Sequence, residues 1–265
     1  AQFATGLGLL AAAGAGLLRL GTPSALLSNF DPTEDLRRHG LLGSLWLYAL
    51  AERATAAVPQ TSRFSISGAK PANRNTPDLV VVQSESFFDA RRLLAGIRPE
   101  VLREFDALRT RAVCQGQVEV PAWGANTART EFAFLSALGP ESLGVHRFNP
   151  YRKLARQGVP TLASFLKRLG YRTVCVHPYP GSFYSRDEAY PLLGFDEFID
   201  IRSFDGAAKA GPYVCDVALA EKVCGLLEDA TSRPMFVFVI TMENHGPLHL
   251  ERVAPGDVPR LYTRP

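Results

Sequence analysis

The stretch M-F-V-F-V-I-T at residues 235–241 decides the fold class that this sequence predicts. It is apolar at almost every position and rich in β-branched and aromatic side chains, which is typical of a strand buried on both faces of a sheet. Apolar runs at 78–83 and 172–177, together with residues 113–120, predict further strands. Helical patterns lie between the strands, at about 99–110, 127–138, 160–169 and 213–229. Strands that alternate with helices predict an α/β fold whose mostly parallel sheet has helices on both faces.

The composition excludes several classes of protein. Of the 265 residues, 46% are apolar and 21% are charged, as in an ordinary globular domain rather than a disordered or fibrous chain. The net charge is +3, and the absence of a basic run argues against a nucleic-acid partner. The four cysteines form no C-x-x-C pair, so neither a zinc site nor a thioredoxin motif is indicated. Cys175, inside the apolar run V-C-V, is expected to be buried.

The beginning of the chain suggests a membrane or an export signal. Residues 3–18 are largely apolar, and the first charged side chain is Arg19. Three interpretations stay open for this run: the end of a transmembrane helix, the core of a signal peptide, or a buried Ala/Gly-rich helix. The first two place the following chain outside the cytoplasm. We expect residues 1–57 to be a membrane or juxtamembrane helical segment, 58–77 a linker, and 78–265 the main domain.

Polar residues follow each predicted strand, where an α/β sheet binds its ligands. They are Glu85, Thr127, His177 and His245. Taken singly, each has an ordinary explanation: an acid in a solvated loop, a threonine that caps a helix, and histidines in loops. Their convergence at one edge of a sheet is the stronger argument, and it predicts a single site there.

The residue types at these positions suit phosphate chemistry. Glu85 offers a hard oxygen ligand for Mg²⁺ or Mn²⁺. Thr127 precedes a predicted helix, whose free N–H groups favour phosphate oxygens, and a nearby cation could activate its hydroxyl as a nucleophile. The segment H-P-Y-P-G-S-F-Y-S-R at 177–186 combines a histidine, aromatic residues and Arg186, whose guanidinium matches phosphate geometry.

Three segments carry a resemblance to a known family. D-L-V-V-V-Q-S-E-S-F-F-D, N-T-A-R-T-E-F-A-F-L and P-M-F-V-F-V-I-T-M-E-N-H-G-P occur in order between residues 78 and 247. They resemble the successive motifs of the lipoteichoic acid synthases and related phosphoglycerol transferases, of the sulfatase and alkaline-phosphatase superfamily. The resemblance implies an alkaline-phosphatase-like fold, and a sulfatase-like catalytic domain over 78–265.

The resemblance also implies roles for individual residues. Glu85 matches the acidic metal ligand of the family, and Thr127 its catalytic threonine, which also contacts the metal. His177, Arg186 and His245 match positions that contact the phosphoglycerol group. Tyr184 joins these three as a substrate-binding position; it stands where the lipoteichoic acid synthases typically have tryptophan and therefore bears on substrate preference.

One part of the family pattern is missing from this sequence. The family supplies further metal ligands from a G-D-H-like motif downstream of the His245 segment, whereas here Gly256-Asp257 is followed by Val258. We therefore expect the catalytic domain to be truncated at its C-terminus, and the chain as given to bind Mn²⁺ or Mg²⁺ poorly and to turn over little.

Together these features predict a metal-dependent phosphoglycerol transferase. It would move glycerophosphate from a phosphatidylglycerol-like lipid, through a threonine intermediate, to a glycan or polyglycerolphosphate acceptor. Two alternatives stay open: a phosphodiesterase or other hydrolase of the superfamily, and a non-catalytic remnant. A true sulfatase is disfavoured because no C/S-x-P-x-R motif occurs. The expected location is a bacterial cell membrane, with the catalytic domain extracytoplasmic.

Overall fold

The computed structural model describes residues 28–53, 63–66, 68, 70–73, 75–122, 126–228, 233–246 and 254–263. The chain divides into two compact units. The first contains the described residues within 1–65 and 121–159, and the second those within 66–120 and 160–265. The predicted boundary at residue 57 lies outside the described residues, and the predicted domain limits stay a prediction.

The second unit contains the strands and most of the helices. Its strands are β1 (Leu79–Gln83), β2 (Arg172–Val176), β3 (Glu197–Ile199), β4 (Lys209–Ala210), β5 (Tyr213–Val214) and β6 (Met235–Ile240). Its helices are α2 (Arg103–Arg111), α5 (Leu162–Arg168), α6 (Arg186–Leu192), α7 (Asp216–Glu228) and α8 (Asp257–Leu261). Short 3-10 turns cover Ala90–Arg92, Pro99–Leu102, Phe183–Ser185 and Ile201–Phe204.

The main sheet has the order β1-β6-β2-β3, and every pairing in it is parallel. The strand of the opening stretch, β6, is central: Phe238 aligns with Val81 on one side and with Cys175 on the other. All six residues of β6 are buried, as its continuous apolar run predicts. The predicted mostly parallel α/β sheet is confirmed, and Cys175 is buried with 0% exposure.

Successive side chains of a strand point to opposite faces of the sheet, and in this structure helices pack against both faces. On one face, Val237 and Val239 belong to a core cluster with Leu219 and Val223 of α7. On the other face, Phe195 stacks against Phe236 and Phe238, with ring centroids 5.8 and 6.3 Å apart. The ring of Tyr190, on α6, packs 5.2 Å from that of Phe195. The predicted two-sided helical cover is therefore present.

The first unit is helical in its described part. Its helices are α1 (Pro32–Arg53), which is interrupted at Gly40, α3 (Ala128–Ser136) and α4 (Pro150–Lys153). Its 3-10 turns are Arg63–Ser65, Pro140–Ser142, Gly144–Phe148 and Ala155–Gln157. Phe132 and Leu135 of α3 are completely buried, as the apolar stripe of this helix predicts. Tyr151 packs its ring 6.3 Å from that of Phe132 and donates its hydroxyl hydrogen to Glu131 at 2.7 Å.

Two secondary-structure predictions were wrong. Residues 113–120 form no strand: Val113 and Val118 are exposed, so these apolar side chains have no core to pack on. The helix predicted from residue 213 begins at Asp216, because residues 213–214 pair with β4 in a two-stranded antiparallel sheet. No helix within the described residues is long and apolar enough to cross a membrane, and the apolar run at 3–18 lies outside them.

Candidate active site

Glu85 lies at the carboxyl end of the main sheet, two residues beyond β1. Its exposure is 6%, and its backbone N–H donates to the Thr241 hydroxyl at 3.0 Å, one residue beyond β6. Its Oε1 accepts a hydrogen bond from the Gln83 side chain at 3.1 Å. Glu85 is thus buried, with its backbone fixed beside β6 and its carboxylate fixed by β1, and a carboxylate oxygen is a suitable ligand for a hard cation.

His177 follows β2 directly and lies at the same edge. Its exposure is 2%, its backbone N–H donates to the Ile199 carbonyl at 2.9 Å, and its Nδ1 lies 3.1 Å from the Ile240 carbonyl. A carbonyl can only accept, so Nδ1 carries the hydrogen of that bond. Ile240, the last residue of β6, holds His177, and Thr241, the next residue, holds Glu85. The structure therefore brings these two predicted residues to one edge of the sheet.

Arg186 begins α6 and is almost completely buried, with 2% exposure. Its guanidinium carbon lies 5.1 Å from the centroid of the Tyr184 ring, a cation–π distance. Tyr184 and Ser185 both have left-handed backbone conformations, with φ of 57° and 54°, and turn the chain into the helix. Tyr184 therefore contributes an aromatic face to Arg186, which a tryptophan at this position would also provide.

A group of aromatic side chains connects these residues with His245. This aromatic cluster consists of Tyr179, Phe183, Tyr184 and Tyr213. The Tyr179 ring lies 6.0 Å from His177 and 6.2 Å from Tyr213, and the Tyr213 ring lies 6.0 Å from His245. The hydroxyl of Tyr213 donates to the Gly246 carbonyl at 2.8 Å. His245 itself is exposed, so it borders the cluster on the solvent side.

Sequence reasoning missed Tyr179 and Tyr213 as members of this region. Tyr179 was visible inside the H-P-Y-P segment that follows β2. Tyr213 had no comparable signal, because its position depends on the short pairing of β4 with β5.

Two carboxylates near His245 were also missed. Glu243 lies three residues beyond β6, and its Oε2 accepts a hydrogen bond from the backbone N–H of Asp216 at 2.6 Å. Burial and the charge of Glu243 raise the pKa of the Asp216 carboxyl above its ordinary value. The Oδ1 atom of Asp216 is buried and has no hydrogen-bond partner among the described residues. Asp216 thus binds a proton more readily than an ordinary aspartate.

Thr127 belongs to the first unit. The prediction that it follows a strand was wrong, because residues 113–120 form no strand. It stands at the start of α3, after Asn126, whose φ of 62° is left-handed. The backbone of Thr127 is helical (φ −57°, ψ −25°), and its carbonyl accepts from the Glu131 N–H at 2.9 Å. Its side chain is half-buried and makes no capping hydrogen bond. The predicted helix start is confirmed, whereas the ordinary role of a capping threonine is not filled.

The described residues fit only part of a metal site. Among them, no group of three or more histidine, cysteine, aspartate or glutamate side chains is arranged to hold a metal ion. The buried carboxylate of Glu85 is one suitable oxygen ligand for Mg²⁺ or Mn²⁺, and one carboxylate is far fewer than the six ligands that these ions take.

Comparison with known proteins identifies the family. The model of the sulfatase family matches residues 77–262. The chain belongs to the sulfatase family. The resemblance seen in the sequence motifs is therefore confirmed at the level of the superfamily.

Two curated relatives come from Rhizobium meliloti (strain 1021). The capsular polysaccharide biosynthesis protein RkpI is 35% identical over 79% of this chain and 39% of its own length. A putative cyclic beta-1,2-glucan modification protein is 31% identical over 70% of this chain and 28% of its own length. The chain spans less than half the length of these relatives.

Solved structures show the same fold. The lipoteichoic acid synthase LtaP from Listeria monocytogenes has a TM-score of 0.55 and 24% identity, over 76% of this chain and 49% of its own. The Streptococcus pyogenes phosphoglycerol transferase GacH, in complex with sn-glycerol-1-phosphate, has a TM-score of 0.58 and 19% identity, over 73% of this chain and 55% of its own. The predicted alkaline-phosphatase-like α/β fold is confirmed.

Proposed function

We propose that this chain carries part of the active site of a phosphoglycerol transferase, with Thr127 as the nucleophile. The observation that carries the proposal is the state of Thr127: it begins a helix of nine residues, yet its hydroxyl makes no capping hydrogen bond. A capping threonine has an extended backbone and uses its oxygen as a cap, whereas the backbone of Thr127 is helical, so its hydroxyl is outside that role. A hydroxyl that the helix does not use is available for attack on phosphorus.

The relatives support a substrate on the cell surface. One is named for capsular polysaccharide biosynthesis and another for modification of a cyclic glucan. Solved structures with the same fold include a lipoteichoic acid synthase and a phosphoglycerol transferase bound to sn-glycerol-1-phosphate. We infer a phosphatidylglycerol-like donor, a glycan or polyglycerolphosphate acceptor, and an extracytoplasmic catalytic domain at a bacterial membrane.

The reaction has two balanced steps. In the first, the Thr127 oxygen attacks the phosphorus of the donor lipid; the bond from phosphorus to the diacylglycerol oxygen breaks, and diacylglycerol leaves with the threonine proton. In the second, an acceptor hydroxyl attacks the phosphorus of the glycerophosphothreonine. That step releases Thr127, which recovers a proton from the acceptor, and leaves glycerophosphate on the acceptor.

The remaining predicted residues have roles in binding and orientation. Arg186, supported by the Tyr184 ring, is proposed to bind phosphate oxygens, because guanidinium donors match them in pairs. His177 and His245 are proposed to contact the glycerol headgroup; His177 would use Nε2, since Nδ1 is committed to the Ile240 carbonyl. Orientation of the phosphorus for in-line attack lowers the barrier by several kcal/mol.

A divalent cation, Mn²⁺ or Mg²⁺, completes the proposal. Glu85 and Thr127 keep the ligand roles that the resemblance implies, and the buried position of Glu85 suits a carboxylate ligand. The cation, when bound, would supply positive charge that favours the ionised hydroxyl.

Mass spectrometry tests the proposal. The whole protein is incubated with phosphatidylglycerol and Mn²⁺, and peptides are examined for a glycerophosphate adduct. We expect the adduct on Thr127, its loss in Thr127→Ala, and its retention in Thr130→Ala, a matched threonine in the same helix. Release of free glycerol phosphate without need of an acceptor would favour a phosphodiesterase. Undiminished turnover by Thr127→Ala would refute the mechanism.

A further inference from the structure

Two arginines of the first unit each have a buried Nε atom for which the described part of the chain offers no hydrogen-bond partner. Arg129 lies in the first turn of α3, two residues after Thr127, and Arg147 lies in the 3-10 turn Gly144–Phe148. The Nε atoms of both are buried, and neither has a hydrogen-bond partner among the described residues. A guanidinium has five N–H donors, and buried donors are almost always paired. The two side chains therefore have donor capacity that this unit does not use.

The backbone places both arginines near the start of α3. The side-chain amide of Asn126, the residue before Thr127, donates to the Phe148 carbonyl at 2.9 Å. This bond ties the turn that carries Arg147 to the residue that precedes Thr127. Phe148 directly follows Arg147, and Arg129 lies three residues after Asn126, so the two arginines start from neighbouring stretches of backbone.

Nearby carboxylates do not neutralise this pair. Within the described residues, no aspartate or glutamate forms an ion pair with either arginine, and Arg147 has only a long contact of 3.5 Å from Nη1 to the Phe30 carbonyl. Glu131, two residues after Arg129 on α3, accepts the hydroxyl hydrogen of Tyr151. Two like charges that are partly buried and without a counter-charge destabilise each other, and a bound anion relieves that cost.

We propose that Arg129 and Arg147 form a phosphate-binding site at the start of α3. Each guanidinium offers paired donors to phosphate oxygens, and the free N–H groups of the first turn add donors from the backbone. The ligand is a phosphomonoester or phosphodiester. That this phosphate is the group attacked by Thr127 rests on the proposed function; binding of the phosphate does not.

Binding of sn-glycerol phosphate and of inorganic phosphate to the 265-residue chain tests the site, by calorimetry at low ionic strength. We expect Arg129→Gln and Arg147→Gln each to weaken binding at least about tenfold, since each removes charge-assisted hydrogen bonds. Arg37→Gln removes an exposed arginine of the same unit, and it should change the affinity less than about twofold because exposed charges are screened. Arg129→Lys keeps the charge but loses the paired donors, so its affinity should fall between those of the wild type and Arg129→Gln.

Thermal unfolding separates this role from a structural one. Without phosphate, the glutamine variants should unfold at the wild-type temperature or above it, because each removes a mutual repulsion. Phosphate should raise the wild-type unfolding temperature and leave that of the variants nearly unchanged. Absence of phosphate binding by the wild type, an equal loss in Arg37→Gln, or unchanged binding in both glutamine variants would overturn the site.

The Thr127→Ala variant distinguishes this site from the proposed function. It should bind phosphate like the wild type, although it cannot form the adduct. If no adduct forms on the wild-type whole protein while phosphate binding still depends on both arginines, the transfer mechanism fails and the phosphate site stands. If Arg129→Gln no longer forms the adduct, the site binds the phosphate of the donor lipid. If Arg129→Gln forms a normal adduct but no longer transfers it, the site binds a phosphate of the acceptor.

Discussion

Replacing Thr127 by alanine should leave the fold almost unchanged. A threonine that caps a helix contributes about 1 kcal/mol through its side-chain oxygen. Thr127 makes no such bond, and its φ of −57° and ψ of −25° are already helical, where alanine is the better residue. We therefore expect Thr127→Ala to change the free energy of unfolding by less than about 0.5 kcal/mol.

Thr161 is the matched control, because it also stands at the start of a helix. Its exposure is 0%, its hydroxyl oxygen accepts from the Ser164 N–H at 3.0 Å, and the hydroxyl donates to the Leu193 carbonyl. The Ser164 hydroxyl oxygen in turn accepts a hydrogen bond from the Thr161 backbone N–H at 2.9 Å, which completes a capping box. Thr161→Ala removes the cap and leaves a buried carbonyl unpaired, so it should lower the free energy of unfolding by about 2–3 kcal/mol.

Urea unfolding followed by circular dichroism measures both variants, and mass spectrometry of the whole protein measures the Thr127 adduct. Thr127→Ala should keep nearly the wild-type stability and lose the adduct completely. Thr161→Ala should lose stability but still form the adduct on Thr127 at a temperature where the variant remains folded. If Thr127→Ala lost as much stability as Thr161→Ala, the Thr127 hydroxyl would be a structural group. It would then not be available as a nucleophile.

Three further predictions concern the second unit. Because burial and a neighbouring glutamate raise the pKa of Asp216, the folded chain holds that proton more tightly than the unfolded chain, and wild-type stability falls as the pH rises through the raised pKa. Asp216→Asn should therefore unfold at a higher temperature than the wild type at pH 7, with the difference shrinking in acid; the opposite trend would contradict the assignment. Phe195→Ala should lower the free energy of unfolding in urea by about 3–5 kcal/mol, since the ring has 2% exposure and stacks on the sheet. Gly194→Ala should lower the unfolding temperature, because φ is +102° and a Cβ would lie 2.5 Å from the Ser164 backbone nitrogen. Gly225→Ala, in helix α7 with nothing within 4 Å of the new Cβ, should instead stabilise the chain by about 0.5–1 kcal/mol. Shifts of the unfolding temperature with the same sign in both variants would contradict this prediction.

The central strands could be predicted from the sequence because their signal is local. Every residue of β6 is buried, so its apolar run reports directly on its environment. The three-residue strand β3 and the two-residue strands β4 and β5 are too short to show periodicity, and β3 also depends on β2, a partner that is distant in the chain. The region 113–120 contains Val118 and Val120 at the spacing of one strand face, yet both are exposed, because burial depends on a neighbouring surface that the sequence does not show.

The sheet explains the positions of Glu85 and His177 but not that of Thr127. In a parallel sheet, residues that follow neighbouring strands meet at one edge, and β6 holds both Glu85 and His177 through its last residues and the one after. Thr127 follows no strand, so this rule does not apply to it. Its hydroxyl is instead presented by a helix start that follows the left-handed Asn126, which is fixed by the Phe148 carbonyl. The apolar stripe that follows Thr127 predicted the helix start, and this signal does not depend on the sheet. Arg129 lies in the first turn of the same helix, and Arg147 lies in the turn that is bonded to Asn126.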